Sequence, residues 1–288
     1  SRCATGAKVK GVAAVRQAMQ GVSAGDVLMP LRQFMPLPSG DGRLAWMPGY
    51  LGEPECFGIK LLSLFPGNPR VGLSSHVGLY VLYESAHGRP VAIMEASALT
   101  AIRTASASVV ATQALARPGS NTLAILGTGE EARSHIDAFQ AVRPFERVIV
   151  WGRNPDAARE CAEYALGAGC AHVEVAATVA AAAAAADVIC TVTGSPTAIL
   201  HGRDVRARQQ AGIREQCDAR EAEFARIGAG FGQDTGAERE RRHADGESAI
   251  AAFDGGEIGV AARHGRLLGE RHSGSATQPN DVTSPVVP

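Results

Sequence analysis

The stretch Asn121–Ala132, NTLAILGTGEEA, decides the fold class of this chain. It opens with a short apolar run and continues in G-x-G-x-x-A spacing at Gly127, Gly129 and Ala132. A helix-like segment, Glu130–Phe139, follows, so the pattern predicts a strand, a tight turn and a helix. In such a turn the first glycine permits the bend, and the second lets a pyrophosphate approach the backbone. The alanine keeps the helix close to the strand.

A glycine fingerprint alone is a weak signal, and an ordinary strand-to-helix turn is the competing interpretation. Here a second apolar run, Arg147–Trp151, lies at the distance expected of a β-α-β unit and ends in Gly152-Arg153-Asn154. The phosphates of a dinucleotide would bind the free N–H groups at the helix start, where the helix dipole favours anions. The context therefore favours dinucleotide binding.

The end of the second strand bears on the choice of cofactor. An acidic residue there binds the ribose 2′-hydroxyl of NAD, whereas an arginine can pair with the 2′-phosphate of NADP. The chain has Arg153 at this place and no acid before Asp156. We expect NAD or NADP, with NADP slightly favoured; the alternative interpretation of Arg153 is a solvated surface charge.

Composition excludes several classes of protein. A formal net charge of −1 offers no basic surface for nucleic acid. No apolar run is long enough to cross a membrane. The six cysteines form no C-x-x-C pair and no cluster with histidine, so we expect reduced thiols and no metal site. The N-terminus has no signal-peptide pattern, and the sequence therefore predicts a cytoplasmic protein.

The segments on either side of the fingerprint predict two domains. Before it, strand-like runs interrupted by proline and glycine predict a small, mixed sheet over the first hundred residues. A helical region of small residues runs to about Ala116. After the fingerprint, helices and strands alternate as far as Val192, whereas 206–247 shows no clean strand. Thr191 and Thr193, at a strand end, are plausible cofactor contacts, although β-propensity explains them equally well.

Three cations lie where a solvated charge is not the natural interpretation. Lys60 interrupts an apolar strand, Arg32 follows a proline in an extended segment, and Arg103 stands in a helical region of small residues. Burying an ammonium group without a partner is costly. Lys60 therefore either reaches the surface along its own aliphatic stem or faces a cleft with an anionic partner.

These segments together resemble the ornithine cyclodeaminase/mu-crystallin family over roughly Val12–Asp204. The motifs that carry the resemblance are Met29-Pro30-Leu31-Arg32, Gly58-Ile59-Lys60, Ile93-Met94-Glu95-Ala96, Leu99-Thr100-Ala101-Ile102-Arg103-Thr104-Ala105, Leu126-Gly127-Thr128-Gly129 and Asp187-Val188-Ile189-Cys190-Thr191-Val192-Thr193. The stretch Leu99–Ala105 is the most diagnostic of them.

The resemblance implies an α/β fold in which a Rossmann-type dinucleotide-binding domain is inserted into a smaller α+β domain. We expect the dinucleotide-binding domain at 118–249. The substrate-binding and dimerisation domain is expected at 1–117, completed by 250–288. The family also implies a homodimer built on the sheets of the substrate domain.

The resemblance further assigns the site. It implies that Arg32, Lys60 and Arg103 hold the substrate carboxylate and that Lys60 and Asp218 are catalytic. Asp218 lies in Gln216-Cys217-Asp218-Ala219-Arg220-Glu221, where the family's Pro-Gly-Lys setting is absent. The predicted cofactor-binding residues are Thr104, Gly127, Thr128, Gly129, Glu130, Ala132, Arg153, Asn154, Thr191 and Thr193.

The main functional prediction is an ornithine cyclodeaminase, which makes proline and ammonia through hydride transfer at the amino-acid Cα. One alternative is an NADP-dependent reductase of a ketimine or cyclic imine, or an alanine-type dehydrogenase, with net cofactor turnover; Arg153 favours this alternative. In each case the partner is a small amino acid or cyclic imine. A non-catalytic nucleotide-binding protein of the mu-crystallin kind is the alternative of another class, motivated by the composition of 206–247.

Overall fold

The computed structural model describes residues 2–38, 40, 42–195, 197–205, 210–214, 249–254 and 257–261. Within these residues, strands form a six-stranded and a seven-stranded sheet, and helices pack on both. The first half of the chain contains α1 (Arg2–Ala24), β1 (Val27–Leu28), β2 (Gln33–Pro36), β3 (Arg43–Gly52), β4 (Glu55–Leu64), β5 (His76–Glu84), β6 (Pro90–Glu95) and α2 (Ala96–Leu115). The second half contains β7 (Thr122–Leu126), α3 (Glu130–Val142), β8 (Arg147–Trp151), α4 (Pro155–Gly167), β9 (His172–Val175), α5 (Val179–Ala185), β10 (Val188–Val192), β11 (Gln210–Arg214), β12 (Ala249–Asp254) and β13 (Glu257–Ala261).

The six-stranded sheet has the order β1-β3-β4-β5-β6, and β2 also pairs with β3. The predicted mixed sheet is wrong, because every pairing in this sheet is antiparallel. Short connections, such as the one between Gly52 and Glu55, join consecutive neighbours. Such connections suit only antiparallel strands, since a parallel crossover needs a dozen residues or more.

The seven-stranded sheet has the order β13-β12-β11-β10-β7-β8-β9, with only the β12–β13 pair antiparallel. The strand of the fingerprint, β7, lies at its centre between β8 and β10. This is the doubly wound order of a dinucleotide-binding sheet, in which the strand order reverses beside the first strand. The predicted fold class, a Rossmann-type domain plus a smaller α+β domain, is confirmed.

The second half of the seven-stranded sheet departs from the sequence prediction. Strand β11 lies inside 206–247, where the sequence predicts no clean strand, and it pairs with β10 along its whole length. Its five residues are too few for a recognisable period, so its place depends on the ladder with β10. Strands β12 and β13 continue the same sheet beyond the predicted domain limit at 249. The domain limits themselves stay a prediction.

Two apolar cores hold the seven-stranded sheet. On one face α3 and α4 pack on the strands, and Leu123, Ile136 and Phe139 are among the largest fully buried side chains. On the other face α5 packs against residues such as Ile189. Helices on both faces are what a mostly parallel sheet requires, because both of its faces are apolar.

Helix α2 connects the two sheets. Its first residue, Ala96, belongs to a small core with Ala45 and Leu62 of the six-stranded sheet. Further along, Ala105 and Val109 belong to the large core of the seven-stranded sheet. The helix therefore fixes both sheets against each other, and the site residues that it carries depend on its position.

The N-terminus of α2 offers a test of stability. The Glu95 carboxylate accepts N–H groups of Ser97 at 2.7 Å and Ala98 at 2.8 Å, and these hydrogen bonds hold the pKa of Glu95 below its usual range. Because the pKa of Glu95 is lower in the folded state, its carboxylate stabilises the fold at pH values above its unfolded-state pKa. This stability is lost as the pH falls through the folded-state pKa. We expect Glu95→Ala to lower the free energy of unfolding by about 1 kcal/mol at neutral pH and by less in acid. Urea melts at neutral and at acidic pH measure the free energy of unfolding, with the exposed residue Glu163 replaced by alanine as the control. An equal loss of stability at the two pH values would contradict the prediction.

Candidate active site

The glycine fingerprint forms the turn between β7 and α3. Gly127 has a φ of +144°, a backbone conformation that side chains rarely tolerate. A Cβ on Gly127 would also lie only 2.4 Å from the carbonyl oxygen of Val192 at the end of β10. Ala132 is fully buried, which places α3 close against the sheet. The turn therefore requires glycine for the fold itself.

At Gly129, unlike Gly127, the fold leaves room for a side chain. It is the N-cap of α3, with no side chain capping the helix, and a Cβ added to it would meet nothing within 4 Å. The N–H groups of the first turn, which have no acceptor within the helix, therefore lie beside open space, which suits a pyrophosphate. The space continues into a groove between α3 and α4, lined by Thr128, Gly129, Glu130, Arg133, Ser134, Asp137 and Tyr164.

The end of β8 lies beside this turn. A Cβ on Gly152 would lie 2.5 Å from the Cγ2 atom of Thr128, so glycine lets the two loops approach closely. Arg153 and Asn154 follow, and both are exposed. Asn154 caps α4, because its Oδ1 atom accepts a hydrogen bond from the backbone N–H of Asp156 at 2.9 Å. Arg153 thus lies where a cofactor 2′-phosphate is predicted, and Asn154 has a structural role as well.

The threonines predicted as cofactor contacts differ from each other. Thr191 is only 3% exposed, and its hydroxyl has no hydrogen-bond partner in the described part of the chain. It pairs in register with Leu126, immediately before the glycine turn. Thr104 is also buried, but its hydroxyl donates to the carbonyl oxygen of Thr100 at 2.7 Å. Thr193 is half-buried after the strand end. The unpaired Thr191 hydroxyl, near the C-terminal end of the inner strand β10, fits a bound ligand.

Lys60 lies within β4 and is only 5% exposed, so it does not reach the surface. Its Nζ atom lies 5.4 Å from the ring centroid of Tyr80, its neighbour in β5, in a cation–π contact. Side chains alternate along a strand, so Lys60 shares its sheet face with Leu62. This face is the one on which Ala96 of α2 packs. The buried ammonium group therefore faces the space between the sheet and α2.

Arg32 belongs to the same face. Its guanidinium carbon lies 5.6 Å from the ring centroid of Phe34, and Phe34 pairs with Ala45 in β3. Arg43, which the sequence analysis did not consider, lies 5.5 Å from the same ring. Its position two residues before Ala45 in a strand is the sequence signal that could have identified it.

Arg103 reaches this region from α2. It is half-buried and follows Ala96 by seven residues, so the two share one face of the helix. The sheet face that carries Arg32 and Lys60 is thus opposed by the helix that carries Arg103. Convergence of the three charges on one anion stays a prediction. Asp218, the predicted catalytic aspartate, lies outside the described residues.

A buried histidine also contacts a serine and a glutamate. His135 Nε2 lies 2.9 Å from Ser108 Oγ, and its Nδ1 lies 2.7 Å from the backbone oxygen of Glu131. The Glu131 carboxylate is 4.0 Å from Nδ1. Such a set can activate a serine nucleophile. Here His135 is 1% exposed between α2 and α3, so we interpret the contacts as structural.

The described residues contain no group of three or more histidine, cysteine, aspartate or glutamate side chains arranged to hold a metal ion. None of their helices combines the length and the apolar character needed to span a membrane.

The comparisons with known proteins define the family. The model described as "Ornithine cyclodeaminase/mu-crystallin family" matches residues 6–207, and the chain therefore belongs to that family, as the sequence motifs predict. The chain is 34% identical to the ketimine reductase mu-crystallin of Mus musculus over 182 residues, which are 63% of this chain and 57% of the mouse protein. It is also 34% identical to a Δ1-pyrroline-2-carboxylate reductase of Bacillus cereus, over 63% of this chain and 56% of that protein.

A solved structure extends the comparison to three dimensions. The Δ1-pyrroline-2-carboxylate reductase of Thermococcus litoralis, in complex with NADH and L-proline, superposes with a TM-score of 0.68. The two chains are 29% identical, and the match covers 72% of this chain and 64% of the other. The chain spans a little over half the length of the curated relatives that it matches.

Proposed function

We propose that the protein is an NAD(P)-dependent reductase of a cyclic imino acid of the Δ1-pyrroline-2-carboxylate type. The observation that carries the proposal is the buried ammonium group of Lys60, which faces the helix that carries a second cation, Arg103. The same chain has a glycine turn with open space beside Gly129, where a dinucleotide would bind. Such a site suits a small carboxylate beside a nicotinamide. The similarity to imine reductases supports this alternative over the ornithine cyclodeaminase that heads the sequence predictions.

The residues present fit the cofactor. The open space at Gly129 and the N–H groups at the start of α3 would hold the pyrophosphate, and the unpaired Thr191 hydroxyl would contact the nucleotide near the end of β10. When bound, the reduced nicotinamide supplies the hydride that converts the imine carbon into the Cα of the amino acid.

The chain's own residues would bind and orient the substrate. Arg32, Lys60 and Arg103 would neutralise the carboxylate and hold the adjacent imine carbon in one orientation. Reduction also needs one proton on the imine nitrogen. Of the two predicted catalytic residues, Lys60 would contact the substrate carboxylate, and Asp218 stays the predicted residue that handles the proton.

The assay that tests the proposal compares two substrates. With Δ1-pyrroline-2-carboxylate and NADPH, we expect proline and a matching loss of NADPH absorbance. With L-ornithine and NAD⁺, we expect no proline. Proline and ammonia from ornithine without net absorbance change would favour the cyclodeaminase. Nucleotide binding with neither reaction would favour the non-catalytic class.

Cofactor preference gives a separate prediction. We expect Arg153→Asp to weaken the binding of NADPH much more than that of NADH, because the guanidinium would pair only with the 2′-phosphate. The loss should be about 10- to 150-fold for NADPH, as for one charge-assisted hydrogen bond. Fluorescence titrations of both nucleotides measure it, and Arg159→Asp in α4 is the control. Equal losses for the two nucleotides would reject the assignment.

We also propose that the chain forms a homodimer through the open face of the six-stranded sheet. The face opposite Lys60 carries Leu61, Leu79, Val81 and Ile93, which pair across neighbouring strands. Of these, Ile93 is 68% and Leu79 is 46% exposed. A contiguous apolar sheet face of this kind marks an interface, and a second copy presents the same surface to it.

The dimer prediction follows from that surface. We expect Ile93→Lys to shift the protein from dimer to monomer, because it would bury a charge in an apolar interface. Light scattering after gel filtration measures the mass. Leu166→Lys, at a residue exposed on α4, is the matched control and should leave the mass unchanged. A monomeric wild type, or a dimeric Ile93→Lys variant, would contradict the proposal.

A further inference from the structure

Helix α2 buries several hydroxyl side chains, and Thr100 differs from its neighbours. Thr104 donates its hydroxyl to the carbonyl oxygen of Thr100 at 2.7 Å, and Ser108 Oγ lies 2.9 Å from His135 Nε2. The Thr100 hydroxyl has no hydrogen-bond partner among the residues that the structure describes, although Thr100 is only 6% exposed. A buried hydroxyl without a partner is costly, and it therefore indicates a ligand that the protein binds.

The local backbone does not account for this hydroxyl. Threonines inside helices commonly bond to the carbonyl four residues earlier, as Thr104 does. For Thr100 that carbonyl belongs to Ala96, and the bond is not made. The Thr100 side chain therefore does not make the hydrogen bond to the Ala96 carbonyl oxygen that its position in the helix offers. This is the arrangement expected if a bound molecule outside the helix accepts a hydrogen bond from the hydroxyl.

Thr100 also lies on the face of α2 that meets the predicted substrate site. Residues three and four apart share one face of a helix, so Thr100 lies between Ala96 and Arg103. Ala96 packs on Leu62, which is two residues from Lys60 on the same sheet face. Thr100 is thus one helical turn from the packed contact with the sheet and one turn from the half-buried arginine.

We infer that the Thr100 hydroxyl donates a hydrogen bond to the substrate carboxylate, beside Lys60 and Arg103; this inference rests on the proposed function. An ionised carboxylate only accepts hydrogen bonds and has about four lone-pair positions, so it can bind a hydroxyl as well as the cations. The neighbouring charges select a carboxylate over a neutral group. Thr100 then makes the site specific for substrates whose carboxylate adjoins the reacting carbon.

The test compares Thr100→Val with Ser108→Ala. Both variants remove one hydroxyl from α2 at residues that are each 6% exposed, but the Ser108 hydroxyl has a partner and the Thr100 hydroxyl has none among the described residues. The readouts are the dissociation constant of L-proline, titrated by calorimetry in the presence of NADP⁺, and the melting temperature without ligand.

We expect opposite results from the two variants. Thr100→Val should weaken L-proline binding at least about tenfold, as for one hydrogen bond to a charged group, and should melt no lower than the wild type. Ser108→Ala should bind L-proline normally and melt lower, because it removes the hydroxyl that contacts the buried His135 Nε2. Normal L-proline binding by Thr100→Val, or a melting temperature lowered as in Ser108→Ala, would overturn the inference. So would a wild type that does not bind L-proline. A wild type that binds L-proline without reducing the imine would refute only the proposed reaction.

Discussion

Replacement of Gly129 by valine is expected to abolish nucleotide binding while the protein stays folded. A Cβ at this position meets no protein atom within 4 Å, and the backbone, at φ −84° and ψ −165°, is extended. The added side chain would therefore occupy only the space predicted for the pyrophosphate. We expect the affinity for NADPH to fall at least about 100-fold, whereas the poorer N-cap should lower the free energy of unfolding by only about 1 kcal/mol.

Gly127→Ala is the matched variant with the opposite result. At φ +144°, with the carbonyl oxygen of Val192 only 2.4 Å from the new Cβ, the substitution should strain the turn itself. We expect a loss of at least about 2 kcal/mol in the free energy of unfolding. Urea melts and NADPH fluorescence titrations of both variants measure the contrast. Tight NADPH binding by Gly129→Val would show that the pyrophosphate binds elsewhere.

The second large effect is expected from the cations. Lys60→Met and Arg103→Met should each raise the KM for the imine about 10- to 150-fold, which corresponds to a charge-assisted hydrogen bond of roughly 1.5–3 kcal/mol. Stability should change little or rise, because removing one of several like charges relieves repulsion in the empty site. Steady-state kinetics and melting temperatures provide the measurement.

Arg203→Met is the control for these variants, because the Arg203 side chain is 79% exposed in the short 3-10 helix Gly202–Asp204 after β10. Its KM should equal that of the wild type. An unchanged KM in both Lys60→Met and Arg103→Met would end the carboxylate-binding hypothesis. A large fall in melting temperature without a change in KM would show that the charges serve the fold instead.

The nucleotide-binding half of the fold was predictable because its signals are local. Gly127 and Gly129 stand a fixed distance after an apolar run, and the structure places them in a strand-turn-helix unit at the centre of the sheet. The family motifs are equally local, and the family match confirms them. Strand β11 was not predictable in the same way, since its pairing with β10 is a contact between distant segments.

The candidate site depends more on tertiary structure. The sequence leaves open whether Lys60 reaches the surface, and only its pairing with β5 and the packing of α2 show that it is buried. Strand periodicity places Arg43 on the same sheet face as Ala45, but its contact with the Phe34 ring depends on the pairing of β2 with β3. An unpaired hydroxyl such as that of Thr191 cannot be distinguished in sequence from an ordinary strand threonine, because both have the same β-propensity.

The most direct test of the account follows the hydride. NADPH carrying deuterium at the transferred position of the nicotinamide is incubated with the protein and Δ1-pyrroline-2-carboxylate, and the proline is analysed by mass spectrometry and NMR. The account predicts proline with a single deuterium at Cα, formed in equal amount to the NADP⁺ produced. Proline without deuterium at Cα, or no proline from a protein that binds NADPH, would contradict it.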